Sequence, residues 1–277
     1  MGGYGSLNLG HNHPAIDEAL QQVQEMPNFL QVSIPAVASA LAVSVAAVTP
    51  GELQQVFISS SGSEAVDGAL KLARFSTGKE KILTTDTGYL GTTFGAVSAT
   101  GKADLRDPFA PLVPGFNSVP FGDTTALRER LSSDEYAVFI VEPVQVEAGI
   151  HVPPEGYLKE GEHICERENT LFIADEIQTG LGRSGELWTY DHDGAEPDIM
   201  TIGRNLLGGT IPIGAYIATD EVWQAGYGTP DKAMLHASTF TNIWGCAAGL
   251  KTLEVLRDDE LPDEADELGA YFLLNSS

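Results

Sequence analysis

The sequence predicts an α/β fold with a mostly parallel central sheet flanked by helices. Short apolar runs alternate with segments of helical periodicity through the middle of the chain, which is the pattern of strands joined by helical crossovers. There is no internal repeat, low-complexity tract or Pro/Gly-rich linker to divide it. A chain of 277 residues, 43% of them hydrophobic, can bury a large core.

The apolar runs LQQVFIS (53 to 59), KILTT (81 to 85), AVFIVE (137 to 142), TLFIAD (170 to 175) and IMTIG (199 to 203) each read as short buried strands. Between them, SEAVDGALKLARFS (63 to 76) and EGYLKEGEHICERE (155 to 168) carry apolar residues at helical spacing. The acidic run DDELPDEADEL (258 to 268) reads as a solvated helix face. In sheets of this kind functional groups collect at the carboxyl ends of the strands.

Composition narrows the partners. With 39 acidic and 15 basic residues the formal charge is -24, so nucleic acid and anionic membranes would be repelled, and small molecules or other proteins are expected instead. An acid-rich, lysine-poor surface also suits a high-salt cytoplasm, where screening removes much of the self-repulsion. Cys165 and Cys246 stand far apart with no CxxC partner, which predicts neither disulfides nor a zinc site and fits a reducing cytoplasm. No apolar run approaches the roughly 18 residues of a membrane span, and the start lacks the regions of a signal peptide.

Three strand ends carry candidate chemistry. SSSGSEA (59 to 65) runs into a helix, so Ser61, Gly62 and Ser63 sit where free amides and the helix dipole would hold an anion such as phosphate; ordinary helix capping is the other reading. Asp175 ends an apolar run and could hold a proton on a heterocyclic nitrogen, or simply cap the next segment. Arg204 follows IMTIG and precedes two glycines, as a phosphate or carboxylate clamp or a structural salt bridge would.

Further segments run in order along nearly the whole chain: GGYGSLNLGHNHP, SSSGSEAVDGALKLAR, DPFAPLVPGFNSVPFG, EPVQVEAGIHVPPEGYL, ADEIQTGLGRSG, PDIMTIGRNLLGGTIPIGAYIATDEV and HASTF. Together they resemble the class III, pyridoxal-phosphate-dependent aminotransferases of fold type I, most closely the putrescine and ornithine branch. That resemblance implies pyridoxal 5'-phosphate as cofactor, amines and 2-oxo acids as substrates, and a homodimer. It places the phosphate at Ser61, Gly62 and Ser63, the stacking aromatic at Tyr89, the partner of the ring nitrogen at Asp175 and the neighbour of the phenolic oxygen at Gln178. Thr239 matches the threonine that reaches the neighbouring subunit's phosphate, and Glu142 and Glu147 match an acidic pair around the substrate pocket.

The departures are equally specific. Arg204 stands at the family's catalytic lysine, Leu90 where a histidine usually follows the aromatic, Val146 for the glycine of QGE, and TNIW (241 to 244) for GGNP. Arginine stays protonated up to a pKa above about 12 and is a poor nucleophile and base, so it cannot do the lysine's work. Two expectations follow. The protein binds the cofactor, without a covalent link, and transfers an amino group from a diamine or ω-amino acid to a 2-oxo acid if active; alternatively, it is an inactive homologue with a structural or regulatory role. Residues 1–35 are expected to form a connecting segment, 36–256 the large cofactor-binding domain, and 257–277 the start of a small domain that is largely missing. Among smaller signals, His11 and His13 form a pair without a third metal ligand, and Arg183 in GLGRSG is expected in a structural ion pair.

Overall fold

The computed structural model describes residues 5–27, 34–203, 210–228 and 242–275. Its centre is a seven-stranded sheet. The strands are β1 (Leu53–Ser59), β2 (Lys81–Thr85), β3 (Phe116–Val119), β4 (Tyr136–Val141), β5 (Leu171–Asp175), β6 (Ile199–Ile202) and β7 (Gly214–Thr219), in spatial order β1-β7-β6-β5-β4-β2-β3. The pairs from β3 through β2, β4 and β5 to β6 are parallel, whereas β7 runs antiparallel to both β6 and β1.

Both faces of the central strands β4, β5 and β6 are buried, which explains why these read as nearly unbroken apolar runs. Successive side chains alternate between faces. Val138, Ile140, Ile173, Ile199 and Tyr216 join one core with Val66, Ala69 and Leu72 of α3 (Gly62–Thr77) and Val222 of α8 (Asp220–Tyr227). Their neighbours Phe139, Val141, Phe172, Met200 and Ile217 join the other, with Leu41 and Val45 of α2 (Ala36–Ala47), Ile164 of α7 (Tyr157–Arg167) and the buried Trp188.

The expected strands are present to within a residue at each end, β1 and β2 with the expected bounds. The helix expected from 155 starts instead at Tyr157, because Gly156 takes a left-handed conformation, φ 75°, at its N-cap. The sequence reading left β3 and β7 unassigned. β3 has four residues on the sheet edge, with only Val119 buried, so it lacks a strong apolar signature. β7 reads GAYIAT, with small residues that carry little strand propensity. The acidic run from 258 is exposed on helices as expected, but it spans two of them: α9 (Ile243–Asp258) ends there and α10 (Leu261–Asn275) begins after Glu260 at φ 52°. The other helices are α1 (Pro14–Val23), α4 (Phe94–Ala99), α5 (Ala103–Arg106) and α6 (Thr124–Leu131). Among the described residues no helix is long and apolar enough to cross a membrane.

Candidate functional site

The carboxyl ends of β1, β4 and β5 open onto one cavity of about 250 Å³, closed on another side by Pro212 and Ile213 before β7. At the end of β1 the chain turns into α3. Ser61 is the N-cap, extended at φ -160°, and its Oγ accepts the Glu64 N–H at 3.2 Å, while Glu64 Oε2 accepts the Ser60 N–H at 2.8 Å. This reciprocal cap satisfies the donors on either side. The amides of Gly62 and Ser63, in the first turn, have no acceptor within their own helix and stand at the cavity wall beneath the positive end of the helix dipole.

Close backbone approach fixes this turn. A Cβ on Gly214 would lie 2.3 Å from the Ser61 carbonyl oxygen, so only glycine lets β7 reach the start of α3. Gly91 is at φ +129° with Ser63 Oγ 2.5 Å from where its Cβ would be, a place no L side chain fits. Ser63 Oγ also accepts the Thr92 N–H at 3.1 Å, tying the loop that carries Tyr89 to the helix. Tyr89 is half-buried and lines the cavity, as does Ile177.

Asp175, the last residue of β5, is 3% exposed and faces the cavity. Its Oδ1 accepts the Ile177 N–H at 3.1 Å and the Thr201 hydroxyl at 2.9 Å. The two readings of Asp175 therefore coexist: it caps the following turn and presents its carboxylate to the cavity. Ser61 likewise caps its helix and lines the cavity.

Glu142 and Glu147 separate. Glu142 is 4% exposed, lines the cavity, and accepts the Tyr89 N–H at 2.8 Å. Burial, and then the charge of Asp175, push its carboxyl well above the usual range. Glu147 is half-buried in the following loop, where it accepts a long bond, 3.4 Å, from Gln178 Nε2. Gln178 itself lines the cavity beside Asp175.

Leu90 is buried against the α3 core, with its N–H on Thr100 Oγ1 at 3.1 Å, and gives the cavity an apolar wall. Arg204 and Thr239 lie outside the described residues. So does Thr241 of the TNIW segment, whereas Asn242 caps α9 by accepting the Gly245 N–H at 3.1 Å. His13 caps α1 through Nδ1, 3.3 Å from the Ala15 N–H. The ion pair expected at Arg183 is not found: among the described residues its guanidinium binds neutral oxygens, the Gly5 carbonyl at 3.0 Å and the Asn8 side chain.

Three supporting residues escaped the sequence reading. Gln145 is fully buried, donates to Thr85 Oγ1, accepts from the Thr87 hydroxyl, and pairs with His151 through two backbone bonds of 3.0 Å. Thr201 holds Asp175, and its position inside a strand gave no polar signal beyond the residue itself. Glu176 is fully buried, accepting the Tyr190 N–H at 2.9 Å and the Thr179 hydroxyl, and burial pushes its carboxyl up to about 7.

The cavity thus brings together a helix start, an aromatic side chain and a buried carboxylate. A family profile described as aminotransferase class-III matches residues 1–275. The chain belongs to that family. Class-III aminotransferases depend on pyridoxal phosphate. Aminotransferase PigE of Serratia is 42% identical over 98% of this chain, which spans 32% of that protein. An ornithine aminotransferase from Toxoplasma gondii, whose structure reveals partial occupancy of pyridoxal phosphate at its active site, superposes with a TM-score of 0.90 at 35% identity, over 98% of this chain and 65% of that one. A thermostable (S)-enantioselective ω-transaminase from Thermomicrobium roseum gives 0.92 at 30% identity, over 98% and 68%. The chain thus spans about a third of the first relative and about two thirds of the others. The fold is that of the fold type I aminotransferases.

Proposed function

We propose that this chain holds pyridoxal 5'-phosphate reversibly in the cavity and that Arg204 keeps it from ordinary amino transfer, as a catalytically inactive homologue with a structural or regulatory role. The observation that carries the reading is that a helix start with free amides, an aromatic wall and a buried carboxylate converge on one cavity. The amides of Gly62 and Ser63 would hold the phosphate, with Ser61 keeping the turn closed. Tyr89 would cover the ring, and Gln178 would hydrogen-bond the phenolic oxygen. Asp175, already oriented by Thr201, would keep a proton on the ring nitrogen through a charge-assisted bond. When bound, the cofactor supplies an aldehyde that accepts amines and a cationic ring that withdraws electrons. Moving a proton between carbons needs a base in its unprotonated form, and a guanidinium, which stays protonated to a pKa above about 12, does not provide one.

Absorbance titration of the full chain with pyridoxal phosphate should show saturable, reversible binding. Borohydride treatment should then leave the mass of the protein unchanged, and putrescine, ornithine or 4-aminobutyrate with a 2-oxo acid should give negligible turnover. In Arg204→Lys, borohydride should fix one cofactor at residue 204. A borohydride-stable adduct on the unaltered chain together with turnover would sink this reading in favour of the second, which family membership supports: amino transfer from a diamine or ω-amino acid to a 2-oxo acid. Thr239, at a position that acts across the subunit boundary in relatives, makes a cytoplasmic homodimer part of the proposal, and light scattering tests the dimer.

A further inference from the structure

Two carboxyl groups meet in this cavity where the ligand would bring one positive charge. Val141 of β4 stands opposite Ala174 of β5 in a parallel register. The next residue on each strand, Glu142 and Asp175, therefore leaves the sheet side by side, on strands about 4.8 Å apart. Both are nearly fully buried and both line the cavity. Their surroundings divide them. Asp175 Oδ1 accepts two hydrogen bonds, from the Ile177 amide and the Thr201 hydroxyl, which favour its ionised form. Glu142 accepts one, from the Tyr89 amide. Among the described residues no basic side chain forms an ion pair with Glu142.

We propose that Glu142 is a positioning residue that keeps its proton at neutral pH, so that the Glu142–Asp175 pair carries one negative charge matched to one cationic ring nitrogen. Two adjacent buried carboxylates repel, and without a proton on Glu142 the repulsion would be relieved by protonating Asp175 instead. Asp175 would then lose the charge with which it holds the ring. The neutral Glu142 carboxyl still accepts the Tyr89 amide, so the same group keeps the aromatic wall in place. Burial, the Asp175 charge and, less strongly, Glu147 all push the Glu142 carboxyl upward, against the pull of the Tyr89 amide. The charged groups around it are Asp175 from β5 and Glu147 from the loop after β4, with Lys102 bound to the Glu147 carbonyl at 2.8 Å. Arg204, just beyond β6, lies outside the described residues and is therefore varied in the test.

The purpose assigned to the proton rests on the cofactor reading, but the proton itself does not, and infrared spectroscopy of the full chain without added ligand separates them. In a Glu176→Gln background, which removes the other raised carboxyl beside Asp175, the protein at neutral pH should show the carbonyl stretch of a buried carboxylic acid, sensitive to D2O and missing once Glu142→Gln is added. The band should vanish at alkaline pH, with a midpoint that moves down in Asp175→Asn, where the neighbouring charge is gone. It should persist in Arg204→Ala, since removing a cation only tightens the hold on the proton. Absence of the band at neutral pH, or a midpoint indifferent to Asp175→Asn, would overturn the proposal. If Glu142→Gln does not fold, Glu176→Gln alone and Glu176→Gln with Asp175→Asn still decide it, because the carboxyl left to give the band beside Asp175 is then Glu142. A protein that shows the band but takes up no pyridoxal phosphate would leave the proton assigned and the cofactor reading refuted.

Discussion

At the scale of single residues, the site is built from groups that hold each other before they hold anything else. Glu176 is the clearest case after Glu142. It is buried beside Asp175, and its carboxyl is pushed from 4.5 to about 7. A carboxyl raised on folding binds its proton more tightly in the folded chain than in the unfolded one. Its contribution to stability is therefore complete below about pH 4.5 and is lost as pH rises through about 7. Thermal melts between these limits should show the unaltered protein losing stability relative to Glu176→Gln, by an amount on the order of 3 kcal/mol across the window. Parallel curves would show that Glu176 does not titrate there. The sequence made Asp175 legible because a lone carboxylate at the end of an apolar run is conspicuous. Glu176 and Gln145 were illegible because a polar residue along a turn looks solvated until its partners fold against it: Thr179 and Tyr190 for Glu176, and Thr85 and Thr87, remote in sequence, for Gln145.

At the scale of elements, the start of α3 depends on a strand that is remote in sequence. The approach of β7 to Ser61 leaves no room for a methyl group at Gly214. Gly214→Ala should shift the helix start, costing about 1–3 kcal/mol of stability. It should also weaken phosphate-ester binding, read by titration with pyridoxal phosphate. Full affinity with unchanged melting would show that the turn tolerates the displacement. Strands β4 and β5 were readable because both faces of the sheet are covered there and their apolar runs stop at polar residues. β7 was not, since the close contact that demands Gly214 also removes the large side chain that would have announced a strand. Helix α3 was readable through its periodicity and Ser61 through its capping chemistry, and the same turn already read as a strand-end anion site; that it shares one cavity with Glu142 and Asp175 came from the sheet order.

At the scale of the whole molecule, a formal charge of -24 is spread over a chain of 29.4 kDa. The ion pairs among the described residues are mostly exposed, such as Arg128 with Glu160 and Lys81 with Glu135, and pairs of this kind contribute little, about 0–1 kcal/mol each. Net repulsion should dominate, so raising sodium chloride from low ionic strength should raise the melting temperature, most steeply until the Debye length falls below about 10 Å near 0.1 M. A melting point that fell with salt would mean that the ion pairs outweigh the repulsion. The alternation of strands and helices was enough to read the fold class, because both carry their period in local sequence. The strand order was not, because it is decided by which edges meet. That order has a consequence for the chain as it is made. Among the described residues β1 stands at an edge of the sheet and pairs with β7 alone, the last of these seven strands to be synthesised. A ribosome adding ~5–20 residues per second would leave β1 without a neighbour for on the order of ten seconds. The turn at its end is therefore among the first parts of the cavity to be translated and among the last to be assembled, and a chain interrupted before Gly214 would emerge with β1 bare and the cavity unclosed on the β7 side.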